Sequence, residues 1–181
     1  MPQPQTYDVV LLVEEPLTTV DARQVRGLHE AVEDPVRYHV ILPVEDAAAR
    51  VEAAMGSLAA SEVLASPTVM VSDVNLEEVQ QEILERARDD LSACVNRLVD
   101  EGANAVGTIV NVDPIDAVAA KAKEVNAAEV IIMTRPHVVA ELFKMDWSSR
   151  ARRKLGVPVL HLLEHENFDE QAGGGEGSTG M

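Results

Sequence analysis

Apolar residues along the chain fall into two rhythms. Short unbroken runs come at Tyr7–Val13 (YDVVLLV), Arg37–Pro43 (RYHVILP), Ala105–Val112 (AVGTIVNV), Val130–Met133 (VIIM) and Val157–Leu163 (VPVLHLL). Runs of this length, rich in Val, Ile and Leu, are what strands covered on both faces require. Between them the apolar positions recur every three or four residues, the helical period. Thr18, three residues before Asp21, predicts the start of a helix carrying Ala22, Val25, Leu28 and Val32 on one face and ending before Pro35. Asn75 with Glu78 reads as a capping box for a longer helix, on which Leu76, Val79, Ile83, Ala87, Leu91, Val95 and Leu98 form one stripe up to Gly102. Asp113 followed by Pro114 predicts a third helix, to Val125, closed by Asn126. Strands alternating with helices predict an α/β fold, a parallel sheet with helices on both faces. One connection is longer: from Asp46 an Ala-rich stretch broken by Gly56 has good helix propensity. It fits a helix over the sheet, a partner-binding lid or a mobile loop.

The pattern bounds one domain, residues 7–164, preceded by a flexible 1–6 and followed by an acidic, Gly-rich tail at 165–181 expected to be disordered. A formal charge of −16 argues against nucleic acid and anionic membrane as partners, since both call for an excess of Lys and Arg. Much of that charge sits on one helix, at Glu77, Glu82, Glu85, Asp89 and Asp90, and reads as a solvated face. Cys94 is the lone cysteine, so an intrachain disulfide and a multi-cysteine metal site are excluded. Its place on the apolar stripe predicts a buried thiol. Neither a signal sequence nor an apolar span of about 20 residues is present, and a soluble, cytoplasmic protein is expected.

The segment from Val130 to Val159 resembles the universal stress protein family. That family runs strand, G-x2-G-x9-G-[ST], helix, and a last strand opening on Pro-Val; here IIM ends the strand, Thr134 and Arg135 fill the two-residue gap, and Val157, Pro158 and Val159 open the last strand. The resemblance implies a five-stranded sheet in the order 3-2-1-4-5, a role in stress response, and a site for the phosphates and ribose of ATP. The spacing is kept and the glycines are replaced: Met133, Pro136 and Asp146 stand at the three Gly positions and Trp147 at the Ser/Thr position. Glycine lets backbone N–H groups approach a phosphate, whereas Met133 adds bulk and Pro136 has no N–H to give. Asp146 reads as a helix N-cap whose carboxylate would accept the free N–H groups itself. The family's strand-end Asp, which contacts adenosine, aligns with Glu14.

In a sheet of this order a ligand lies beyond the carboxyl ends of strands one and four. Glu14, Glu15, Val44, Asn111, Asp113, Met133, Thr134, Arg135 and His137 are expected around that cleft, with mostly negative charge. Such a cleft predicts a regulatory or binding protein with no resident cofactor. The alternative is an ATP- or AMP-binding protein that uses Thr134, Arg135 and Ser148 in an altered geometry. No P-loop, Gly-x-Ser-x-Gly elbow or G-x-G-x-x-G is present, and no catalytic role is expected. His161 to His165 spells H-x-x-E-H, but in a strand those histidines stand about 13 Å apart and could not share a zinc. Arg150, Arg152, Arg153 and Lys154 read as cations at the end of a helix stopped by Gly156, and Trp147 as packing beneath it. The last strand, Val157–Leu163, would be a bare apolar edge, which predicts a homodimer formed by antiparallel pairing of two such edges, besides contacts to another protein partner.

Overall fold

A computed structural model describes residues 6–44, 76–134 and 153–163. The elements in chain order are β1 (Tyr7–Val13), α1 (Thr19–Gly27), β2 (Val36–Pro43), α2 (Leu76–Asp100), β3 (Asn104–Val110), α3 (Pro114–Val125), β4 (Glu129–Thr134) and β5 (Val159–Leu163). All strand pairs are parallel, and the order is β3-β2-β1-β4-β5. This is the order the family resemblance implies, with β1 central.

Alternation along each strand sorts the side chains into two cores. Val9, Leu11 and Val13 of β1, Tyr38, Val40 and Leu42 of β2, Ile131 and Met133 of β4 and Leu162 of β5 face Ala22 and Val25 of α1 and Ala87, Cys94 and Leu98 of α2. On the other face Val10, Leu12, Ile41, Val130 and Ile132 meet Val118 and Ala122 of α3, with Ala127 and Leu155. Cys94 is fully buried, as its place on the stripe predicts. Gly107 of β3 decides how close α2 comes to the sheet, because a Cβ added there would lie 2.7 Å from Cγ and Cδ1 of Leu91. A missing side chain on the strand admits a large one from the helix.

The ends of α1 and α3 follow caps written in the sequence, while Asn75, expected to cap α2, lies outside the described residues. Thr18 and Asp21 form the full capping box, with the Asp21 carboxylate accepting from the Thr18 N–H and hydroxyl, each at 2.7 Å. Asp113 caps α3 by accepting from the N–H groups of Ile115 and Asp116, and Asn126 ends it in the left-handed conformation at φ 52°.

Three boundaries differ from the sequence expectation by two residues or more. Helix α1 stops at Gly27 rather than running toward Pro35, because a tight turn (His29 N–H to Arg26 carbonyl, Glu30 N–H to Gly27 carbonyl) tucks His29 inward. Leu28 is thereby left exposed instead of facing the core. Strand β3 ends at Val110, and Asn111 and Val112 turn out to solvent to reach the Asp113 cap. Strand β5 begins at Val159, not Val157; Pro158 joins it only through its carbonyl, which accepts the Val130 N–H at 2.9 Å. The Ala-rich connection, the chain's first five residues and the acidic tail lie outside the described residues, as do Arg135, Pro136, His137, Asp146, Trp147 and Ser148.

Overpacking a strand–helix contact typically costs about 1–3 kcal/mol. Gly107→Ala should lose stability in that range in urea unfolding, and adding Leu91→Ala should return part of the loss; full stability of Gly107→Ala would show that α2 is not seated by this contact.

Candidate functional site

Polar side chains gather at both ends of the sheet. At the amino end, Tyr38 of β2 and Glu129 of β4 flank Val9 in one row across the sheet, with Tyr7 at the start of β1. The inward turn after α1 drops His29 among them. Its Nε2 contacts the Glu129 carboxylate, while Nδ1 lies 2.8 Å from the Tyr38 hydroxyl and 3.1 Å from the Val25 carbonyl. With Nε2–H donating to the Glu129 carboxylate, Nδ1 is left to accept from the Tyr38 hydroxyl. Tyr38 packs edge-on against it at 5.4 Å between centroids. Burial pushes the Tyr38 phenol up to about 12. Burial also raises Tyr7, helped by the charge of Glu129 and a hydrogen bond to it.

A cavity of about 360 Å³ opens beside this group, bounded by Arg26, His29, Glu30, Asp34, Tyr38 and Gly102. Arg26 already pairs with Glu30 at 3.3 Å across its mouth. Sequence reasoning missed this network, whose members are 100 residues apart at the His29–Glu129 contact; the mid-strand Tyr and the first-residue Glu gave no signal of it. A phenol held un-ionised and an imidazole enclosed by partners tie α1 to three strands. They offer no free nucleophile.

At the carboxyl end, the order reverses between β1 and β4, where an open parallel sheet leaves a crevice. Glu14 and Glu15 follow β1 and are half-buried. The turn they begin is fixed from beneath, since the Leu17 N–H donates to Cys94 Sγ at 3.4 Å and the thiol reaches the Glu15 carbonyl at 3.9 Å. Val44 follows β2, tied to β3 by its N–H to the Val110 carbonyl at 2.8 Å. Asn111 and Asp113 are exposed beyond β3, and the Asp113 carboxylate is taken up in capping α3. Met133 belongs to the core: it is 0 % exposed, among the side chains between the sheet and α1–α2, so only its backbone is near the crevice. Thr134 is the last residue of β4. The topology thus brings Glu14, Glu15, Val44, Asn111, Asp113 and Thr134 to one end of the sheet. Among the described residues no group of three His, Cys, Asp or Glu is placed to hold a metal. His161 lies in β5, and the motif's Glu164 and His165 lie outside the described residues.

No protein-family model and no curated protein matches the sequence. The fold is that of universal stress proteins. The chain is similar to the universal stress protein from Archaeoglobus fulgidus at a TM-score of 0.51 and 18% identity, covering 85% of this chain and 91% of that one. It is similar to hypothetical protein MJ0577 at 0.58 and 12%, over 89% and 98% of the two chains. A universal stress protein in complex with cAMP gives 0.50 and 15%, over 86% and 95%.

The network at the amino end has a signature in alkali. Unfolded tyrosine ionises near pH 10 and folded Tyr38 only at about 12, so the folded form holds its proton more tightly and stability falls as pH rises through that window. The loss should approach about 2–3 kcal/mol by pH 12. Tyr38→Phe should flatten the pH 10–12 profile of unfolding free energy measured by circular dichroism; an unchanged slope would remove Tyr38 from the account.

Proposed function

We propose that this chain is a universal stress protein-like binding or regulatory protein, not an enzyme, whose crevice does not hold a triphosphate in the manner its fold would suggest. One observation carries the reading. The crevice rim among the described residues is built from the carboxylates Glu14, Glu15 and Asp113, with a core methionine, Met133, where the family motif has its first glycine. Three negative groups around a cleft repel a polyanion, and the proline at the second glycine position of the motif, Pro136, has no N–H to give to a phosphate. In the sequence a further acidic residue, Asp146, stands at the third glycine position of the motif.

A second reading keeps an adenylate ligand. It rests on the shared fold of a universal stress protein solved in complex with cAMP, and it would draw on Thr134, Arg135 and Ser148. A mononucleotide carries less charge than ATP and meets less of the repulsion.

Function through contacts follows from the sheet's edge. β5 is the last strand in the order, and its residues Val159, Leu160, Leu162 and Leu163 are apolar, whereas the opposite edge, β3, exposes Asn104 and Thr108. An apolar strand at the end of the sheet order is suited to pair with another such strand. Two β5 strands joined antiparallel would give a homodimer with a continuous ten-stranded sheet. No helix among the described residues is long and apolar enough to cross a membrane. A place in the cytoplasm and a part in stress response belong to the same proposal.

Isothermal calorimetry separates the two ligand readings: ATP should bind more weakly than about 1 mM, and nucleotide released from denatured protein should be absent. Micromolar uptake of ATP or AMP, lost in Thr134→Ala, would favour the second reading. Sedimentation should show a dimer that becomes monomeric in Val159→Pro with its far-UV spectrum kept; a persistent dimer would move the interface off β5.

A further inference from the structure

β3 closes the sheet on the side away from β5. The Val44 N–H donates to the Val110 carbonyl at 2.8 Å, with Pro43 and Val110 in register. In a parallel ladder this parity turns the backbone of Asn104, Val106, Thr108 and Val110 toward β2, and the N–H and carbonyl groups of Ala105, Gly107 and Ile109 away from it. Among the described residues no strand lies beyond them. β3 also lacks the devices that usually blunt such an edge: NAVGTIV has no charge and no proline, and its register with β2 is unbroken by a bulge. Exposed apolar side chains at Val99, Val106 and Val112 accompany it from one end to the other.

We propose that the outer edge of β3 is a docking site for an extended segment of another protein, uncharged through its centre and basic at its ends, which adds to the sheet as a sixth strand. This deepens the reading of a protein that works through contacts, and it does not depend on the β5 dimer. Side chains of the added strand alternate between the two faces of the sheet, as those of β3 do. On one face they pass beside α2. Leu91 rests over Gly107 there, and Val99 overhangs the outer flank, since it lies five residues, about 140° around the helix, from Cys94, which faces the β1–α1 turn. On the other face they meet Val106 and Thr108, exposed where α3 lies over β1, β2 and β4.

The helix above this edge decides against a second copy of the chain. Two β3 strands paired edge to edge would stand about 4.8 Å apart. The Leu91–Gly107 contact seats α2 over β3, so the two copies of α2 would be brought to nearly that spacing, whereas packed helices stand about 8–10 Å apart. A segment without a helix of its own meets no such obstacle.

Charge selects the ends of the segment. The cavity that reaches Gly102 and Asn104 at the start of β3 carries the carboxylates of Glu30 and Asp34, and Arg26 at its rim is paired with Glu30. α2 holds seven acidic residues against three arginines, and Asp113 stands beyond the other end of β3. Lysine or arginine flanking the added strand meets opposite charge at both ends.

The probe is a fluorescent peptide of about seven alternating Val and Thr residues between pairs of lysines, titrated with the full chain and followed by anisotropy. It should bind saturably, and a version N-methylated throughout its core should bind at least about tenfold more weakly. Glutamates in place of the lysines should weaken binding by a similar factor. Ala105→Pro, which removes an outward N–H, and, independently, Val106→Lys should each do the same with the far-UV spectrum kept. Absence of saturable binding, equal binding of the methylated peptide, or unchanged binding in both variants would overturn the inference, while the sedimentation and nucleotide outcomes above stand apart from it. A wild-type dimer that Ala105→Pro turns into a monomer would put a second copy on this edge and overturn it as well.

Discussion

Five consecutive residues of β1, Val9 to Val13, are shut off from solvent on both faces, and the rest of the molecule answers that constraint. A strand apolar on both sides needs a helical layer above and below and a hydrogen-bonded neighbour at each flank. β2 and β4 supply the neighbours, α1 and α2 one layer, α3 the other. Full burial of side chains of this size is worth about 1.5–3 kcal/mol each. Moving β1 by one residue would exchange its two faces and mismatch both cores at once.

The same arrangement separates two kinds of polar chemistry. At the amino ends, Tyr7, Tyr38, His29 and Glu129 satisfy one another inside the protein, and their cost of burial is offset by hydrogen bonds across α1, β1, β2 and β4. At the carboxyl ends, Glu14, Glu15, Asn111 and Asp113 sit at the rim where loops diverge. A buried, mutually satisfied cluster braces the fold; the other end carries the acidic residues Glu14, Glu15 and Asp113. The amino end thus holds the scaffold, and the carboxyl end faces whatever the crevice meets.

Much of this was written locally. The strands announced themselves as apolar runs, and Thr18–Asp21, Asp113–Pro114 and Asn126 marked helix ends because capping is chemistry between near neighbours. The stripe on α2 foretold a buried Cys94, although not that its thiol would hold the turn carrying Glu15 and Leu17. Met133 could be placed at a strand end by its position in a motif. Whether its side chain faced crevice or core depended on the alternation phase of β4, which an unbroken apolar run does not reveal.

The sequence by itself determined the kind and order of the elements among the described residues, the caps at Thr18, Asp113 and Asn126 and the acidic composition, since each follows from residues within a few positions of one another. Strand order came from the motif around Val130 to Val159, a likeness rather than a calculation. Only the tertiary structure decided the inward turn of His29, its meeting with Glu129 and Tyr38, the fit of Leu91 over Gly107, and the phase of β4 that turns Met133 into the core. These depend on register and packing between segments far apart in the chain, and no local preference encodes the distance between them.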